Sequence, residues 1–132
     1  MAMTRSMRRE AGFTLVSVMI AVILLSLGLI ALAKAEGILA RAQTDTANRS
    51  SALAIAQGYT EVIRSRDPAT LASEAAVQVD VNGQPAAGGL YSRSMTVTSD
   101  AANLLRVTVT VNYPRAAAPL RIVTLIYKPT AI

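Results

Sequence analysis

Polarity along the chain changes its period twice. Residues 1–12 are short and basic, with Arg5, Arg8 and Arg9 against a single acid, Glu10. From Ala11 the sequence AGFTLVSVMIAVILLSLGLIALA reaches Ala33 without a charge, which is enough for one bilayer crossing at about 20 apolar residues. From Lys34 to about Arg66 the pattern turns amphipathic. Leu53, Ala56, Tyr59 or Thr60, and Ile63 follow a three-and-four spacing, and Ala52, Ile55 and Val62 widen the stripe. Arg41, Asn48, Arg49 and Glu61 fall largely elsewhere. No proline lies between Phe13 and Arg66, so Gly28 and Gly37 are the weak points for a kink. Gly58 costs about 1 kcal/mol relative to Ala, which suggests close packing against a neighbour or a small kink there. Asp67-Pro68 ends the run, because proline disfavours helix at the residue before it. A helix from Phe13 to Arg66 would extend about 80 Å at 1.5 Å per residue, so its outer half needs a partner beyond the bilayer.

After Pro68 the period becomes two. Val77, Val79 and Val81 alternate with Gln78 and Asp80, and this strand should stop at Asn82-Gly83, a possible type I′ hairpin turn. Pro85 to Gly89 reads as a flexible turn or loop. Tyr91, Arg93, Met95 and Val97 alternate with Ser and Thr in a second strand. The clearest strand runs from Leu105 to Tyr113, with odd positions facing a core and even positions facing water. Pro114 to Pro119 is another loop. Arg121 to Tyr127 is apolar on both faces, which predicts a central or covered strand. Four strands with short connections predict an α+β fold, in which an antiparallel sheet packs on the outer half of the helix.

Composition narrows the chemistry. A chain of 132 residues should form one folded domain. With no Cys and no His, disulfides, thiol chemistry, imidazole metal sites and nucleophile–imidazole pairs are excluded. The acids Glu10, Glu36, Asp45, Glu61, Asp67, Glu74, Asp80 and Asp100 are spread singly, so no catalytic constellation forms and no cofactor is implied. Asp80 near Asn82-Gly83 has oxygen ligands to offer calcium, but the EF-hand pattern is missing and the cluster reads as a turn. Gly88-Gly89 lacks the Lys-Ser/Thr of a phosphate-binding loop. Of the net charge of +5, residues 1–12 supply +2, and the remaining basic residues are scattered with few aromatics beside them. That distribution argues against nucleic acid as a partner.

Three readings fit the N-terminal segment. Ala31-Leu32-Ala33 resembles a secretory peptidase site, yet the apolar run exceeds the 7–15 residues usual for a secretory signal, and the helical pattern continues past it. A plain signal anchor explains the hydrophobicity and charge but not the placement of Gly12 and Phe13 at the polarity boundary. A signal cut on the cytoplasmic side of the apolar run explains both. The string Arg8-Arg9-Glu10-Ala11-Gly12-Phe13-Thr14-Leu15-Val16 resembles the prepilin peptidase site of type IV pilins and type II secretion pseudopilins. Ser26-Leu27-Gly28-Leu29 and the Ala-rich helix after it further resemble PilV-type minor pilins and the related minor pseudopilins.

The resemblance implies cleavage after Gly12 and N-methylation of Phe13 as the new N-terminus. Gly12 suits a protease that takes an extended backbone at the membrane surface. Residues 1–12 would then be a removed cytoplasmic leader, 13–33 a transmembrane and assembly segment, and 34–132 a periplasmic or extracellular pilin-like domain. The leader arginines should stay cytoplasmic, giving a single-pass inner-membrane protein with its C-terminal part outside. Before assembly the chain would sit in inner-membrane lipid, and after assembly in a pilus or pseudopilus. Implied partners are the prepilin peptidase, other minor pilins, the major pilin and the inner-membrane assembly platform.

One departure bears on function. The family usually carries Glu as its fifth mature residue, where it is thought to pair with the N-terminal amine of a neighbouring subunit, and this chain has Ser17. A charge in hydrocarbon is costly unless paired, and a serine hydroxyl cannot neutralise an ammonium. Ser17 is also explained as a small polar residue bonding back to its own helix. The functional reading is a subunit at a place where the pairing is unnecessary, such as the tip or initiating complex. Phe13, Ser17, Ala21 and Gly28, with Ala31, supply the face expected to pack against sister helices. The expected function is a minor pilin that primes or tips a type IV pilus. The alternatives are a minor pseudopilin of a type II secretion system and a substrate- or DNA-binding pilus module.

Overall fold

The computed structural model describes the backbone of residues 7–130 and the side chains from Thr14 to Thr130. One helix, α1, spans Met7–Arg64 without interruption, and is followed by a 3-10 turn at Pro68–Thr70. Four strands come next: β1 Glu74–Val79, β2 Tyr91–Ala101, β3 Leu104–Asn112 and β4 Leu120–Tyr127. They form one antiparallel sheet in sequence order, β1-β2-β3-β4. Contacts divide the chain into two compact units with the boundary between Ala42 and Gln43.

In the first unit the described part of α1 is exposed throughout, including Leu15, Ile20, Leu24, Leu27, Ile30 and Leu32. The uncharged stretch to Ala33 buries nothing, which is unfavourable in water and suited to hydrocarbon. Ser26 is satisfied within the helix: its Oγ donates to the Val22 carbonyl at 2.7 Å. The helix passes through Gly28 and Gly37 as regular α-helix.

In the second unit, one face of α1 from residue 43 to Arg64 covers the sheet. Ala52, Ile55, Ala56, Tyr59 and Ile63 from the helix meet Val79, Tyr91, Met95, Val107, Val109 and Val111 from the strands. Alanine at 52 and 56, both fully buried, lets the helix approach the sheet closely. Thr60 enters this face because its hydroxyl donates to the Ala56 carbonyl at 2.8 Å, so no polar atom is left unpaired. The stripe is narrower than the expected one. Leu53 and Val62 are exposed instead of buried, because at 100° per residue they fall on its two opposite flanks. Gly58 is also exposed, and a Cβ added there would meet nothing within 4 Å, so the expected close packing is absent among the described residues.

The strands differ from expectation at both sheet margins. β3 keeps the foreseen alternation, with Val107, Val109 and Val111 buried. β1 begins earlier and ends earlier than the valine pattern suggested, which leaves Val81 outside it and exposed, and Val77 within it is exposed as well. The reason is a tight reversal: Gly83 N donates to Asp80 O at 3.0 Å, and Asp80 N donates to Gln84 O at 2.9 Å. Asp80 Oδ1 accepts from both Asn82 N and Gln84 N, which is the turn chemistry expected of that cluster. Of Asn82 and Gly83 only Gly83 has positive φ, at 79°, so this is not the type I′ turn, which needs both. Residues 85–89 form the expected turn, and hydrogen bonds tie it to β1. Ala86 N donates to Gln78 O, Gly88 N to Gln78 Oε1, and Gly89 N to Ala86 O, which fastens the segment along β1. Finally, β4 is neither central nor covered. It is the sheet's outer strand, and Val123, Leu125 and Tyr127 are exposed on it.

Candidate functional site: the N-terminal segment and the helix–sheet junction

The residues expected to act in assembly all lie on α1. At 100° per residue, positions 13, 17, 21 and 28 fall within roughly 80° of arc. The helix therefore brings Ser17, Ala21 and Gly28 to one exposed face, with Leu24 between Ala21 and Gly28. Gly28 has open space where a Cβ would be. Small residues on an exposed apolar helix permit close backbone approach by another helix in lipid, where packing and not hydrophobic transfer drives association. Gly12 and Phe13, read as the processing junction, lie outside the residues whose side chains are described.

A second cluster escaped the sequence reading. It joins the end of α1 to β1 and β2. The Tyr59 hydroxyl donates to Glu74 Oε2, and Arg66 Nη1 donates to Glu74 Oε1 at 2.6 Å. The Arg93 guanidinium lies 3.6 Å from the centroid of the Tyr59 ring, and its Nη1 donates to the Gly83 carbonyl at 3.0 Å. Arg66 stands over the same ring at 5.6 Å. The hydrogen bonds from Tyr59 and Arg66 hold the Glu74 carboxyl below its ordinary range, against the opposing effect of burial. Burial first, then the bond to Glu74, pushes the Tyr59 hydroxyl up. The bond to Glu74 also raises Arg66. The only sequence signal was Arg93, an arginine on the apolar face of an otherwise alternating strand.

This cluster borders an open cleft of about 390 Å³ between α1 and the turn after β1, lined by Ala54, Gly58, Val62, Val81 and Arg93 among others. Its residues supply a cation over a ring and a hydrogen-bonded carboxylate, which is a fastening and not a proton-transfer pair. Among the described residues no group of three acids is placed to hold a metal. Several cations are taken up locally: Arg64 pairs with Glu61, Arg106 with Asp100 and Arg115 with Asp45.

The exposed helix and the folded α+β unit define the class of a subunit with one N-terminal helix long and apolar enough to cross a membrane. Residues 7–33 match the prokaryotic N-terminal methylation motif. That match covers the N-terminal segment alone, and it agrees with the resemblance of that segment to type IV pilins and type II secretion pseudopilins. Searches of curated proteins and of solved structures gave no match.

Proposed function

We propose that this chain is a minor pilin, a structural subunit that starts or tips a type IV pilus by packing its N-terminal helix against those of other pilins. The observation that carries the reading is the N-terminal segment itself. A basic head, a Gly12-Phe13 junction and an uncharged exposed helix coincide with the methylation motif over residues 7–33. In this account the prepilin peptidase cuts after Gly12, Phe13 becomes the methylated N-terminus, and the arginines hold the leader in the cytoplasm. The helix stays in the inner membrane until assembly, with the sheet-bearing domain outside.

Ser17 supports the place at the tip. A subunit at the end of the fibre has one side without a sister helix, so it can dispense with the carboxylate that the shaft uses. The C-terminal unit then presents surface to partners while the helix supplies assembly. Triple replacement of Ser17, Ala21 and Gly28 by leucine tests this use of the helix face. It should leave membrane insertion intact, since leucine is at home in lipid, and abolish both copurification with other minor pilins and filament initiation. Retention of both in the variant would overturn the reading.

A further inference from the structure

β4 pairs with β3 along its whole length, Leu120–Tyr127, and on its other side with no described residue. The opposite margin of the sheet is different, because residues 85–86 close against Gln78 and Val79 of β1. β4 is also apolar on both faces. Val123 and Leu125 are each 52% exposed and Tyr127 is 64% exposed on the outward side, while Leu120, Ile122 and Ile126 on the inward side are only half-buried. Folded proteins usually blunt such an edge with lysine, proline or a bulge within the strand. Here Ile122 to Ile126 contains none of these, and the cations Arg121 and Lys128 stand at the two ends.

We infer that the free edge of β4 receives an extended strand from a partner protein, one that is apolar in its middle and acidic at its ends. Strand addition to an open edge draws affinity from main-chain hydrogen bonds and specificity from the flanking side chains. The charge at this edge has one sign: Arg121 and Lys128 stand at its two ends, Arg115 is taken up by Asp45, and from Ala101 onward the sequence holds no acid. Asp100 is already bonded to Arg106, so it does not offset the edge. A second copy of the chain fits poorly. Antiparallel pairing of β4 with itself would set the Arg121 end of one copy against the Lys128 end of the other, and like charges across a ladder repel. β1 has acids at both ends, Glu74 and Asp80, but its edge is closed at Gln78 and Val79 and Glu74 is held by Tyr59 and Arg66. The inference stands on the sheet edge and does not depend on the pilus reading.

Hydrogen exchange on the full chain in dodecyl maltoside micelles tests it, with the capped peptide Glu-Val-Thr-Val-Thr-Val-Glu as probe and its lysine-ended counterpart as control. The acidic peptide should slow exchange of amides 120–127 by about tenfold or more, and the lysine-ended peptide should not. Val123→Asp with Leu125→Asp, at exposed positions, should remove the effect. Arg121→Glu with Lys128→Glu should transfer it to the lysine-ended peptide, which keeps the test decisive if the first variant folds poorly. Equal protection by both peptides, protection by neither, or concentration-dependent protection of β4 without peptide would each overturn the inference. The last result would assign the edge to a second copy.

Discussion

The guanidinium of Arg93 lies 3.6 Å from the centre of the Tyr59 ring, whose hydroxyl is bonded to Glu74. One side chain of α1 thus fastens two strands: β2 through the ring face and β1 through the hydroxyl. Tyr59 itself is almost wholly buried, whereas Glu74 and Arg66 keep 39% and 40% of their side chains exposed, so the ring is shielded from water and the ion pair at its hydroxyl is only partly so.

Removing the hydroxyl alone should loosen that junction. Tyr59→Phe keeps the ring and its arginine but leaves Glu74 with Arg66 as its remaining side-chain partner. A loss of about 1–2 kcal/mol is expected, the usual cost of deleting a hydrogen bond to a charged group. Thermal unfolding of the full chain in detergent, followed by tyrosine fluorescence, should show a lower Tm with the membrane helix retained in circular dichroism.

The same junction gives stability a defined pH dependence. The Glu74 carboxyl is held below its ordinary range by the bonds from Tyr59 and Arg66. The folded state therefore binds this proton less readily than the unfolded chain. The stabilisation is complete above about pH 4.3, the ordinary glutamate value, and is lost as pH falls through the lower folded value. At the alkaline end, Tyr59 is raised by burial and by Glu74, so its contribution is complete below about pH 10 and lost as pH rises above that. Unfolding curves across pH should show both flanks in the natural chain, and Glu74→Gln should flatten the acid one.

Two glycines should respond in opposite directions to alanine. A Cβ on Gly89 would stand 2.3 Å from the Val79 carbonyl oxygen, so the backbone must move and unfasten the 85–89 segment from β1. A cost of about 2 kcal/mol or more is expected from overpacking of this kind. Gly58 faces open space in the middle of a helix, where alanine should stabilise by about 0.5–1 kcal/mol. Comparison of the two Tm shifts checks both signs. If Gly58→Ala stabilises the isolated chain yet impairs assembly, the bare helix surface beside Val62 serves a partner.

Ser17 offers a gain-of-function measurement. With Ser17→Glu the helix regains the carboxylate that the resemblance leads one to expect, able to pair with a neighbour's N-terminal amine. More of the variant than of the natural chain should be recovered along sheared fibres, measured by quantitative immunoblot against the major subunit. Unchanged recovery would mean that Ser17 does not set this subunit's place.

How far the chain could be read depended on whether a signal was local. The uncharged run to Ala33 and the alternation in β3 are local, and both appear in the structure where expected. The helix stripe was narrower than expected: at 100° per residue Leu53 and Val62 fall on its opposite flanks, just outside the arc that runs from Ile55 through Ala52 and Ala56 to Thr60. β4 misled for a different reason. Strong apolarity on both faces normally signals cover, and among the described residues none covers it. The Tyr59–Glu74–Arg66–Arg93 cluster was illegible because its members come from α1, the turn after it, β1 and β2, and no single spacing relates them. The N-terminal segment was readable by its order of residue types, which the methylation motif matches over residues 7–33.

The mature N-terminus tests the central claim most directly. Intact-mass and N-terminal peptide mass spectrometry on the chain purified from membranes of cells with an active prepilin peptidase should find it beginning at N-methylated Phe13. A chain beginning at Lys34, after the Ala31-Leu32-Ala33 site, or one retaining residues 1–12, would contradict the account.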